Sequence, residues 1–211
     1  MKFLNSEPIQ FFMKFITKGH ERSVRAKKNI FSSLVIKGFS ILTSFLLLPV
    51  TLTYVDASEY GVWLTLSSIV GWFVFFDVGL THGLRNKFAE AKARGNDDLA
   101  QIFVSTTFAI LGIIFLGIWI IFLGVNSFLD WSKILNVSNN IRPEVTTLAI
   151  IVFTYFCISF VLRIITTVML ADQKPAGSSF INLLGQVISL GIIFVLVKTT
   201  EGSIVNLGLA L

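Results

Sequence analysis

The chain has 211 residues, of which 54% are hydrophobic and only 14% charged, with a formal net charge of +5. Soluble domains average about 45–50% apolar and about 25% charged, so this composition, with a mean hydropathy of +0.80, excludes an ordinary water-soluble domain. It points instead to an all-α, polytopic membrane helix bundle, and the positive charge lies beside apolar runs, a membrane-topology pattern that argues against nucleic acid as a partner.

In chain order, residues 1–28 form a basic N-terminal segment carrying Lys2, Lys14, Lys18, Arg22, Arg25, Lys27 and Lys28. It lacks the apolar core and small-residue cleavage pattern of a signal peptide. Within it, Pro8–Lys18 places Ile9, Phe12, Phe15 and Ile16 on one helical face, which suits either an interfacial helix or a solvated basic tail.

Residues 29–211 read as one transmembrane lobe. A spanning helix needs about 20 mainly apolar residues, and segments at about 29–55, 60–81, 100–126, 145–170 and 176–197 meet that requirement. A sixth starts at Ser203 and stops at Leu211, so the expectation is about one six-helix lobe of a longer polytopic protein.

The connecting segments set the orientation. The first, Asp56–Glu59, carries acids and no base. The second carries Arg85, Lys87, Lys92 and Arg94, the third Lys133 and Arg142, and the fourth Lys174. Lys and Arg concentrate in cytoplasmic loops, which predicts a cytoplasmic N-terminus. Leu84–Arg94 reads as a short cytoplasmic helix ended by Gly95, with Asn96 or Asp97 capping the next span. Asp130-Trp131 opens a short piece on the opposite side, with Trp131 expected at headgroup level.

Three ionisable residues interrupt the apolar runs: Lys37, Asp77 and Arg163. A charge at membrane depth is costly and usually faces a protein interior or a watery cavity. Polar residues share helical faces in three spans: Ser33, Lys37, Ser40 and Ser44; Tyr155, Ser159, Arg163 and Thr166; Ser178, Asn182, Gln186 and Ser189. Lipid gives such groups no hydrogen-bond partners, so the stripes are expected to turn toward one another. At a rise of 1.5 Å per residue, Lys37 and Arg163 each lie about 12 Å from the cytoplasmic end of their helices, and Asp77 about 7 Å.

This predicts a polar, cationic cavity open to the cytoplasm, with Lys37, Arg163, Asn182, Gln186, Tyr155 and Ser159 as candidate substrate-binding residues. An anionic headgroup is the natural guest, held by Arg as a fork and by Lys as a point charge. Asp77 serves as ion-pair partner or carrier of a coupling proton, or else caps its helix. His82 is expected at the interface. The lone Cys157 has no disulfide partner and no metal-ligand spacing around it. No catalytic constellation, metal site, cofactor motif or Walker-type loop is present, so the expectation is a non-enzyme.

Pro49 to Asp98 carries a resemblance. The elements Glu59-Tyr60-Gly61, Asp77-Val78-Gly79-Leu80 and Gly83-Leu84-Arg85-Asn86-Lys87 resemble those of bacterial polysaccharide (O-antigen) flippases, of the multidrug/oligosaccharidyl-lipid/polysaccharide exporter superfamily. The resemblance implies two six-helix lobes working by alternating access in the inner membrane. It implies movement of an undecaprenyl-diphosphate-linked oligosaccharide to the periplasmic leaflet for surface polysaccharide biosynthesis. Membrane lipids, a proton or sodium ion as coupling ion, and the missing C-terminal half or a second copy are then the expected partners. A cation-coupled drug exporter of the same superfamily would favour acids over Lys and Arg in its cavity. A membrane-embedded glycan polymerase or ligase would need a larger outer loop than Ser127–Glu144.

Overall fold

The computed structural model describes residues 21–73, 79–137 and 142–211, and every described regular element is helical. In chain order these are α1 (Glu21–Tyr54), α2 (Ala57–Gly71), α3 (Leu80–Ala93), α4 (Asp97–Asn126), α5 (Trp131–Ile134), α6 (Arg142–Ala171), α7 (Pro175–Thr199) and α8 (Ile204–Ala210). Among the described residues four helices are long and apolar enough to cross a membrane: Ala26–Tyr54 within α1, then α4, α6 and α7. The segment expected to span at 60–81 is α2, which ends at Gly71, followed by residues that include Asp77 and lie outside the described set. Pro8–Lys18 lies outside it too.

Local chemistry fixes the helix ends. Asp56 and Glu59 form a reciprocal capping box that starts α2. Asn96 accepts the backbone N–H of Leu99 and starts α4, as its sequence position suggests. The helix expected at Leu84–Arg94 begins earlier, at Leu80, and closes as expected at Gly95, where φ is +72° and the Gly95 and Asn96 amides bond back to Lys92 and Ala91. The same closure ends α6, with Gln173 holding the left-handed position at φ +58°.

Helix directions follow from side-chain pairs. Phe115 stacks on Phe160, Phe122 stacks on Phe153 and the Trp119 indole donates to Thr154, so α4 and α6 are antiparallel. A tight turn reverses the chain from α6 into α7. Helix α7 then lies parallel to α1, because Ser33 pairs with Ser179, Ser40 with Gln186 and Tyr54 with Thr200, each 146 residues apart. Helices α1, α4 and α7 therefore point one way and α6 the other. Tyr54, at the end of α1, packs near Ile193 and Leu207. Ala100, at the start of α4, packs with Phe88 and Ala91, with Val168 and Ala171 against them, at the opposite end. The chain between Val55 and Asn96 thus travels the length of the bundle once more.

The core centres on α6, which packs against α2, α3, α4, α5, α7 and α8. Leu148, Val145 and Ile164 of α6 are fully enclosed with Leu66 of α2, Leu111 of α4 and Ile204 of α8. Helix α8 comes so close to α6 that a Cβ on Gly208 would collide with Leu148. Trp131 is buried in the chain, and its indole donates to Asn126 Oδ1 at 2.7 Å. A buried donor with a well-placed acceptor is satisfied inside the fold.

Candidate functional site: a polar cavity along the α1–α7 seam

The polar stripes of α1 and α7 meet. Ser33 and Ser179 share a buried hydrogen bond of 2.8 Å, and the Ser40 hydroxyl donates to Gln186 Oε1. Tyr54 and Thr200 are 3.0 Å apart at the far end, where Asn206 also donates to the Tyr54 hydroxyl. At the near end Asn29 donates to the Gln173 carbonyl. On α7 the residue that meets α1 is Ser179, at i, i+3, i+7 and i+10 with Asn182, Gln186 and Ser189, while Ser178 flanks the same face on the other side. Both serines are buried, but Ser179 is the partner of Ser33.

These residues flank a cavity of about 660 Å³, lined by Lys37, Ser40, Tyr155, Asn182, Gln186 and Ser189, with Leu47, Ile181 and Leu211 as apolar wall. Four of the six predicted binding residues, Lys37, Asn182, Gln186 and Tyr155, therefore share one wall. Ser159 and Arg163 do not line it. They fall on the same helical face as Tyr155, but the Ser159 hydroxyl donates to its own helix at the Phe156 carbonyl, and Arg163 is exposed. Lys37 is thus the one charged side chain among the described lining residues, and among the described residues it has no ion pair. The expected pair of cations is one cation here. Asp77 lies outside the described residues.

Depth gives the cavity its chemical character. Lys37 lies well inside the apolar length of α1, and Asn182 and Gln186 lie inside that of α7. One ammonium, two amides, a phenol and hydroxyls at that depth can replace the hydration of a polar anion. Among the described residues no group of three or more His, Cys, Asp or Glu side chains could hold a metal ion.

The two ends of the bundle differ in charge. The end that holds the start of α1 and the α6–α7 turn carries Lys27, Lys28, Arg85, Lys87, Lys92, Arg94 and Lys174. There Lys87 and Arg94 both pair with Glu90, which holds its carboxyl below the usual range, the Lys87 hydrogen bond being the largest cause. At the other end Asp130 meets Arg142 and Lys133, but its hydrogen bond from Ser132 does most to keep its carboxyl ionised. No family model, curated protein or solved structure matches this chain.

Proposed function

We propose that this chain is a lobe of a multi-pass flippase of the bacterial inner membrane, moving a lipid-linked oligosaccharide on a diphosphate carrier to the outer leaflet by alternating access. The observation that carries this reading is Lys37 in a cavity otherwise lined by uncharged polar and apolar groups, within helices of bilayer length. A diphosphate headgroup is anionic and heavily hydrated, and its sugar is rich in hydroxyls. One ammonium with amide and hydroxyl neighbours suits both parts. The resemblance over Pro49–Asp98 supports the same substrate class.

The topology that goes with this reading has five complete crossings. The parallel α1 and α7 require an extra return between Val55 and Asn96, which α2 and the residues after it would make. The basic end is cytoplasmic by the distribution of Lys and Arg. Lys37 and Asn182 are exposed on this chain. At membrane depth that exposure calls for a facing protein surface, supplied by a C-terminal half or a second copy. Asp77 is the proposed site of a proton or sodium ion that couples transport.

The test is complementation of a flippase-deficient strain with the full-length protein. Lys37→Ala is expected to abolish surface polysaccharide at normal expression, and Lys37→Arg to retain part of it. Full surface polysaccharide in cells carrying Lys37→Ala would sink the assignment of the cavity.

A further inference from the structure

A second and larger cavity, about 1160 Å³, opens at the basic end of the bundle, away from the seam cavity. Its rim carries a lysine from each of three separate elements: Lys28 on α1, Lys92 on α3 and Lys174 in the α6–α7 turn. Its floor is small and apolar, made by Ala26, Ala89, Ala93, Ala171 and Gly177 with Met169. Short side chains on three converging helices are what leave the space open.

The position of this cavity is informative. Helix α6 ends at Ala171, α7 begins at Pro175, and the apolar stretch of α1 begins at Ala26, so the cavity sits where the bilayer-length segments stop. With those helices spanning a bilayer, that is headgroup level. The turn that carries Lys174 is rigid, since Lys174 N–H bonds back to Met169 and the Gln173 carbonyl is held by Asn29. Gly177 brings the first turn of α7 to the wall, and a helix N-terminus adds partial positive charge.

The charges are held but not consumed. Lys92 pairs with Asp97 at 2.9 Å and Lys174 with Asp172 at 2.6 Å. Both pairs are largely exposed and so contribute little to stability. Lys28 has no ion pair among the described residues. The hydrogen bond and charge of Asp97 keep the Lys92 ammonium protonated. Asp172 is the one acid on the wall.

We propose that this groove binds the phosphate of an anionic phospholipid headgroup, with the three lysines around the phosphate and the glycerol backbone on the alanine floor. Basic pockets between helices at a membrane face are suited to such headgroups, each lysine near the surface contributing about 1 kcal/mol. The site would tie α1, α3 and the α6–α7 turn together through a lipid, and it stands independently of the transported substrate.

The test is native mass spectrometry and lipid titration of the full chain in neutral detergent, with phosphatidylglycerol and phosphatidylcholine as probes. Wild type is expected to retain phosphatidylglycerol and release phosphatidylcholine. Each single Lys→Gln change should weaken phosphatidylglycerol binding about fivefold, and Lys28→Gln, Lys92→Gln and Lys174→Gln together roughly a hundredfold. The matching Lys→Arg triple should bind nearly as wild type. Lys133→Gln with Lys198→Gln, at the other end, should change nothing. If the Gln triple does not fold by circular dichroism, Lys28→Glu alone carries the test, since Lys28 is exposed. Equal retention of the two lipids would overturn the site, as would equal loss in the other-end variant or unchanged binding in the groove variants. If millimolar inorganic phosphate displaces the lipid and binds by the same three lysines, the groove is a soluble-phosphate site and the lipid assignment fails.

Discussion

Ser33 and Ser179 meet hydroxyl to hydroxyl at 2.8 Å, buried between two helices that run in the same direction. Seven residues further along both helices, Ser40 meets Gln186 at the same offset of 146. Two parallel helices with matched polar stripes keep this register over two turns, so polar contacts zip the seam. Interhelical hydrogen bonds in membranes average about 0.6 kcal/mol each. Their larger effect here is on register.

The register can be read directly by crosslinking. In a Cys157→Ala background, Ser33→Cys with Ser179→Cys is expected to form a disulfide under mild oxidation in membranes, and Ser40→Cys with Gln186→Cys to do so as well. Ser33→Cys paired with Gln186→Cys is about 10 Å out of register by helical rise and should stay reduced. Crosslinking of the mismatched pair at the rate of the matched pairs would contradict the parallel seam.

Two glycines near the C-terminal helix should tolerate alanine very differently. A Cβ on Gly208 would strike the end of the Leu148 side chain, which is fully buried and must repack to make room. Gly208→Ala is expected to cost about 1–3 kcal/mol as overpacking. A Cβ on Gly202 would strike the backbone carbonyl of Tyr54, which no rotamer change relieves. In a Leu148→Ala background, which itself costs about 2–5 kcal/mol, the further cost of Gly208→Ala should therefore shrink and that of Gly202→Ala should not, read from unfolding midpoints in detergent as a double-mutant cycle. An equal change in both costs would show that neither collision limits the packing.

Trp131 and Asn126 form a buried polar pair where α4 ends and α5 begins. Trp131→Phe keeps an aromatic ring but leaves the Asn126 amide oxygen without its donor. A buried unsatisfied acceptor costs about 1–3 kcal/mol. Adding Asn126→Leu removes the orphaned group and should return most of that loss. If the double variant is no more stable than Trp131→Phe alone, the indole contributes through packing and not through its N–H.

Much of this was legible from the chain, for reasons that differ by element. Helices α1, α4, α6 and α7 announce themselves because twenty consecutive apolar residues have few other uses. Gly95 and Asn96 mark ends because their roles are local, set by a positive φ and a side-chain cap. Seen from periodicity alone, Ser33, Lys37 and Ser40 share a face, and that face did meet α7. What periodicity lacks is the partner and the angle between helices. It cannot tell that Ser179, one place on from Ser178, sits opposite Ser33. Nor can it tell that Tyr155 reaches the seam cavity while Ser159 and Arg163, on the same stripe, stay off its wall. Nor does periodicity show the burial of Trp131, whose acceptor Asn126 lies five residues away in a different helix. The basic-end groove is invisible in the chain, since its three lysines are separated by long stretches and only the fold gathers them.

The unequal burial of the four long helices has a mechanical consequence. In its most apolar stretch α6 has 44% of its residues enclosed within the chain, against 6% for α1 and 6% for α7. Helix α1 leans mainly on α7, and α7 reaches the rest chiefly through α6 and α8. Tilting α1 would therefore disturb mainly its polar seam with α7 and the cluster of Tyr54, Ile193 and Leu207 at its end. The same tilt applied to α6 would part Phe156 and Phe160 from Phe115, and Phe153 from Phe122. The chain is built around α6 as an axle, and the polar seam lies in the pair of helices least enclosed by it.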